Sequence, residues 1–140
     1  MYNCIIHPTD LQEDNVDFCE QSIALARQLD AEIYFLHVLH LPDTWQLAQG
    51  LGFAETEPLP IDDAKIVMTA LADRFNIAHD HMIIKQQSLK HSVLELIEDL
   101  QADLLVLGSS QSHFYQHEII HISQDISIHT SCDILLLHQK

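Results

Sequence analysis

Short apolar runs alternate with stretches of helical period along most of this chain. Cys4 to Pro8 is a run of strand length, and past the turn at Thr9-Asp10 the residues Val16, Cys19, Ile23 and Ala26 recur on one helical face. Ile33 to Val38 is a second apolar run, interrupted only by His37. Residues 39–60 break the rhythm, with Pro42, Gly50, Gly52, Pro58 and Pro60 bracketing Trp45, Leu47, Leu51 and Phe53, which predicts a long crossover to which no chemistry is assigned. Pro60 suits the first turn of a second helix, in which Ala64, Met68, Leu71 and Phe75 face one way. A third strand over Met82 to Lys85 precedes Ser88, an N-cap for a third helix with Val93, Ile97 and Leu100 aligned. Leu104 to Leu107 is the fourth strand, Ile119, Ile122 and Ile126 mark a fourth helix, and Ile134 to Leu137 supply a fifth strand.

That order predicts an α/β fold of repeated βα units: a single parallel sheet with helices on both faces, filling one domain over residues 1–140 without an internal repeat. No apolar run approaches the ~18 residues a membrane span needs. The start, Met1-Tyr2-Asn3-Cys4-Ile5-Ile6-His7, has no basic segment before its apolar residues, so it reads as a first strand and not as a secretion signal, and a cytoplasmic protein is expected.

Charge narrows the partners. Twenty-one Asp and Glu against six Lys and Arg give a net charge of −15, which opposes nucleic acid. The fixed cations are Arg27, Lys65, Arg74, Lys85, Lys90 and Lys140, and none lies between Lys90 and Lys140. The three cysteines, Cys4, Cys19 and Cys132, are far apart and odd in number, as buried reduced thiols would be, and no CxxC or Cys-His cluster suggests zinc.

The segment Leu104-Leu105-Val106-Leu107-Gly108-Ser109-Ser110-Gln111 has the form of a buried strand delivering a ligand loop. A phosphate cradle uses small residues so that backbone N–H groups reach an oxyanion, and here a glutamine stands three positions after the glycine. A phosphate at Gly108 would also find no cation nearby in sequence.

Three signatures together resemble the universal stress protein family over the whole chain: Ile5-Ile6-His7-Pro8-Thr9-Asp10 leading into a helix, His37-Val38 closing the second strand, and Val106-Leu107-Gly108-Ser109-Ser110 leading into the last helix. The resemblance implies an open five-stranded sheet of order 3-2-1-4-5, adenine nucleotide alpha hydrolase-like, with ligands over the carboxyl ends of strands 1 and 4. ATP-binding members carry Gly, two residues, Gly, nine residues, Gly and then Ser or Thr. Here Gly108 is followed at the matching positions by Gln111, His121 and Ile122, which put side chains where bare backbone would meet phosphate and remove the hydroxyl donor. The departure is similar to the A-type branch, which does not bind ATP, and implies no cofactor. The residues matching the base and ribose side, Pro8, Thr9, Asp10 and Val38, are kept, so the alternative is an ATP- or AMP-binding sensor that uses these together with Gly108 and Ser109. Pro-Thr-Asp has a structural reading of equal weight, since Pro8 ends strand pairing and Asp10 can bond turn amides.

Eleven histidines are a high count for 140 residues. His113, His117 and His121 recur at i, i+4 and i+8 and are the candidate metal ligands, with Glu118 or His129 as helpers, although no acidic or cysteine ligand falls at a recognised spacing and no metal is expected. Protonating all eleven would add eleven positive charges and take −15 to −4, which makes a pH responder a further alternative. A GxSxG elbow and a P-loop are missing, and the pairs Asp62-Asp63 and Glu98-Asp99 fit solvated helix faces, so no catalysis is expected. The implied strand order leaves Ile134, Leu135, Leu136 and Leu137 at a sheet edge, which predicts a homodimer joined there; no other protein partner is identified.

Overall fold

A computed structural model describes residues 1–11, 16–39, 61–109 and 113–138, with the backbone alone over 113–120. Its elements are β1 (Cys4–Pro8), α1 (Val16–Leu29), β2 (Glu32–Val38), α2 (Ile61–Phe75), a 3-10 turn (His79–His81), β3 (Met82–Lys85), α3 (Leu89–Leu100), β4 (Leu104–Gly108), α4 (His113–His129) and β5 (Asp133–Leu137). All strand pairs are parallel, as the residue pattern predicts, and the order is β3-β2-β1-β4-β5, as the family resemblance implies. The long crossover, residues 40–60, lies outside the described residues.

Strand pleating divides the core into two layers. Ile5, Ile33, Phe35 and Val106 pack with Cys19, Ile23 and Ala26 of α1 and Met68 of α2. On the other face Ile6, Leu36, Leu105 and Leu107 pack with Val93 and Leu96 of α3 and Ile122 and Ile126 of α4. β1 and β4 are buried on both faces, which is why they read as apolar runs, with His7 the one polar side chain in them.

Ser88 caps α3 as its position predicts, its Oγ accepting the His91 N–H at 3.1 Å. The C-terminal ends of the helices carried no sequence signal. α1, α2 and α3 are each followed by a left-handed residue, Asp30, Asn76 and Gln101, and the next amide reaches back to the helix: Ala31 to Ala26, Ile77 to Ala72 and Ala102 to Ile97. This closure usually takes glycine, and here a polar residue adopts it each time.

Three strand boundaries differ from the sequence reading by one residue: β2 begins at Glu32, β5 begins at Asp133 and β4 extends to Gly108. Gly108 is the last residue of β4, opposite Leu137 of β5, and not the first residue of a loop. α4 begins at His113, so His113, His117 and His121 stand on one continuous helix.

Candidate functional site

In a sheet of this order the crevice between the carboxyl ends of β1 and β4 is the ligand position, because the chain leaves β1 and β4 toward opposite faces. Pro8 opens that crevice. Backbone groups of β1 alternate in direction: the Cys4 carbonyl accepts the Asp103 N–H on the β4 side, and the Thr9 N–H donates to Leu36 of β2. With Ile6 opposite Leu105, the next rung would run from residue 8 to the Val106 carbonyl, and proline has no N–H to supply it. His7 fills the gap, its Nδ1–H donating to the Val106 carbonyl at 2.9 Å. The side chain of one residue thus replaces the ladder bond that its neighbour cannot make.

A carbonyl only accepts, so this bond fixes the His7 proton on Nδ1 and leaves Nε2 as a bare acceptor, buried without a partner. Burial pushes the His7 pKa from 6.5 down to about 4, and the edge of the neutral ring meets Phe35 at 5.6 Å between centroids. The ring is wholly buried, so it serves the ladder and cannot reach a substrate.

Thr9 is equally engaged. Its N–H bonds Leu36, its carbonyl accepts Nδ1–H of His37 at 2.9 Å, and its Oγ1 accepts the Leu11 N–H at 3.2 Å and faces the Cys19 thiol at 4.0 Å. The hydroxyl holds Leu11 in a left-handed conformation at φ 62°, a demanding one for a branched side chain. Asp10 and Val38 are half-buried, and Val38 leans on the α3/α4 layer of the core.

Gly108 ends β4 beneath the ring of Phe18, a residue of the first turn of α1. A Cβ at position 108 would meet Phe18 Cδ2 at 2.5 Å and Cγ at 2.7 Å, so the ring lies directly on the glycine backbone. Phe18 is 1% exposed. The Ser109 N–H, which a phosphate cradle would offer to a ligand, donates instead to Leu137 of β5 at 2.8 Å. Ile122 is a core residue of α4 and His121 faces solvent; Gln111 lies outside the described residues. The sequence reading missed Phe18. Its signal was an aromatic residue among the small and aliphatic members of one helix face.

No fixed cation stands at this crevice among the described residues. Lys85 pairs with Glu95 at 3.1 Å, Lys90 with Asp125 at 3.1 Å and Arg74 with Glu20 at 3.5 Å, Arg27 donates to the Phe75 carbonyl, and Lys65 of α2 lines a small cavity beside β3 with Met68, Met82 and Ile84. No group of three metal-ligating side chains occurs among the described residues, and the side chains of His113 and His117 lie outside them. Four histidines have backbone work: besides His7 and His37, His81 donates Nδ1–H to Ile33 while stacked on Tyr34, and His129 donates to Asp125 one turn back. Burial pushes all three thiols up to about 11, which keeps them protonated and unreactive. A groove of about 630 Å³, floored by Leu94, Ile97 and Ala102, lies at the other end of the sheet, beside the amino ends of β4 and β5.

This arrangement has relatives. A curated protein, universal stress protein A homolog 2 of Coxiella burnetii, is 27% identical over 122 residues, covering 86% of this chain and 84% of the relative. Among solved structures, the universal stress protein UspA of Lactobacillus plantarum superposes with a TM-score of 0.68 at 14% identity, covering 97% of each chain. A universal stress protein in complex with cAMP superposes at 0.65 with 14% identity, covering 99% of this chain and 98% of the other. These neighbours share the adenine nucleotide alpha hydrolase-like fold. The family model described as the universal stress protein family matches residues 1–138, and with the sheet order, the Pro8 break and the β4 glycine in place, this chain belongs to that family.

Proposed function

We propose that this chain is a noncatalytic, cytoplasmic stress-response protein of the A-type branch that acts as a homodimer joined through β5, without nucleotide. The observation that carries the reading is the edge itself. Among the described residues β5 pairs with β4 alone, and Leu135 and Leu136 are 37% and 42% exposed on it. A strand with free N–H and C=O groups and apolar side chains favours pairing with a second copy.

Three features support function without nucleotide. Phe18 lies where a ligand would approach Gly108, the Ser109 amide is bonded within the sheet, and no fixed cation stands near to balance phosphate charge among the described residues. His7 is fully buried in its ladder bond and so is not placed for acid–base chemistry.

A second reading keeps an adenine nucleotide at Asp10 and Val38, which stay half-buried at the crevice, and a structural neighbour is described in complex with cAMP. Mass spectrometry of ligand released from the purified protein, followed by calorimetric titration with ATP, AMP and cAMP at millimolar concentration, separates the two. The expected result is no copurified nucleotide and no saturable heat. Copurified nucleotide or a saturating isotherm would establish the second reading instead.

A further inference from the structure

We infer that Phe18 is a built-in plug: its ring occupies the space over Gly108 that a nucleoside ligand would enter at the crevice between β1 and β4. The inference deepens the reading of this chain as one that works without nucleotide and rests on it, naming the residue that closes the site.

A strand-ending glycine at a switch point ordinarily leaves backbone bare so that a ligand can approach it closely. Here the bare backbone is covered, since the Phe18 ring comes so near that even a methyl group on residue 108 would overlap it. Gly108 is therefore required by Phe18, and its presence carries no information about phosphate. The plug sits in a place built to hold it. α1 runs down over β1, with Cys19 facing Thr9, and Phe18 beside Cys19 is turned toward β4. Ser22 lies one turn further along α1, and among the described residues its buried hydroxyl and His7 Nε2 have no hydrogen-bond partner. Thr9 and the half-buried Asp10 and Val38 border the same crevice, so removing the ring opens space beside the residues that match the base and ribose side of the family site.

The gain expected from opening the plug is for the nucleoside and not for the phosphates. Gln111, His121 and Ile122 are unchanged by the substitution, and the Ser109 amide stays in the sheet. Adenosine is therefore the discriminating probe.

The experiment is calorimetric titration of the wild type, Phe18→Ala and Phe18→Val with adenosine and with ATP. The plug predicts no heat from the wild type, adenosine binding by Phe18→Ala strengthened at least about tenfold over the wild-type limit, and ATP binding no tighter than adenosine. Adding Gly108→Ala to Phe18→Ala should reduce the gain, because the new methyl takes up the part of the opened space nearest the glycine backbone. Phe18→Val, a smaller change, serves if Phe18→Ala fails to fold, and it should show a lesser gain of the same kind. A folded Phe18→Ala or Phe18→Val protein that ignores adenosine overturns the plug while leaving the nucleotide-free reading intact. Saturable ATP binding by the wild type overturns that reading itself.

Discussion

The phenyl ring of Phe18 and the backbone of Gly108 are in such close contact that a Cβ on the glycine would lie 2.5 Å from the ring. One residue belongs to α1 and the other to β4, and their contact fixes how the first helix sits over the switch point of the sheet.

A double-mutant cycle measures this contact. Gly108→Ala alone forces the ring to shift and should cost ~1–3 kcal/mol of stability, as overpacking does. Phe18→Ala alone should cost ~3–5 kcal/mol through the cavity it leaves. Combined, the two should be less destabilising than their sum by at least ~1 kcal/mol, because the methyl enters space the ring has vacated. Additive losses in urea titrations would show that the two residues do not share that space.

The His7 bond to Val106 predicts an acid dependence of stability. Burial lowers the His7 pKa in the folded state to about 4 from an ordinary 6.5, so between those values the unfolded chain binds the additional proton. Stability from this group is therefore complete above pH 6.5, falls as the pH drops through that window, and levels off below about 4. The loss is on the order of 3 kcal/mol for a fully buried ring. His7→Asn keeps a side-chain N–H for the Val106 carbonyl but cannot titrate, so its stability should vary less with pH across the window. His7→Leu leaves the carbonyl unbonded and should cost ~1–3 kcal/mol at pH 7. Denaturation curves at several pH values check both variants, and equal pH slopes for the wild type and His7→Asn would refute the assignment.

At the other end of β1 the Asp103 carboxylate accepts the Asn3 N–H at 2.9 and 3.1 Å and the Cys4 N–H at 3.0 Å, tying the start of the sheet to β4. Asp103→Ala should cost ~1–3 kcal/mol in equilibrium unfolding and speed hydrogen exchange at the Cys4 amide. Unchanged exchange there would mean that the carboxylate does not hold the strand.

The layout of the sheet was legible because its strands are short, mainly apolar runs set between helical stretches, most clearly in β1 and β4, which are buried on both faces. β1, β3 and the start of α1 fall where the sequence placed them, and Ser88 caps α3 as its side chain predicts. The helix ends were illegible because Asp30, Asn76 and Gln101 adopt left-handed geometry without the glycine that would announce it. The crevice was half legible. Pro8 ends pairing with β4 as expected, but the His7 bond that replaces the missing rung depends on two strands meeting across 99 positions of sequence. Phe18 lay hidden for the same reason: helical period assigns it to a buried face and says nothing of the glycine it covers. Part of the histidine surplus has an equally plain outcome, since His7 and His81 cap strand carbonyls, His37 caps the Thr9 carbonyl just past β1 and His129 caps a helical one.

Association through β5 is the central claim, and the strand's own alternation supplies a clean test. Asp133 donates its N–H to the Asp103 carbonyl and the Leu137 carbonyl accepts the Ser109 N–H, so odd-numbered residues of β5 bond β4 and the Leu136 N–H faces the open edge. Leu136→Pro therefore blocks edge pairing without removing a bond to β4, whereas Leu135→Pro breaks the internal ladder and should destabilise the fold. Sedimentation equilibrium on the wild type and Leu136→Pro measures the consequence directly: the account predicts a dimer for the first and a folded monomer for the second. A Leu136→Pro protein that remains a soluble dimer of wild-type affinity would contradict it.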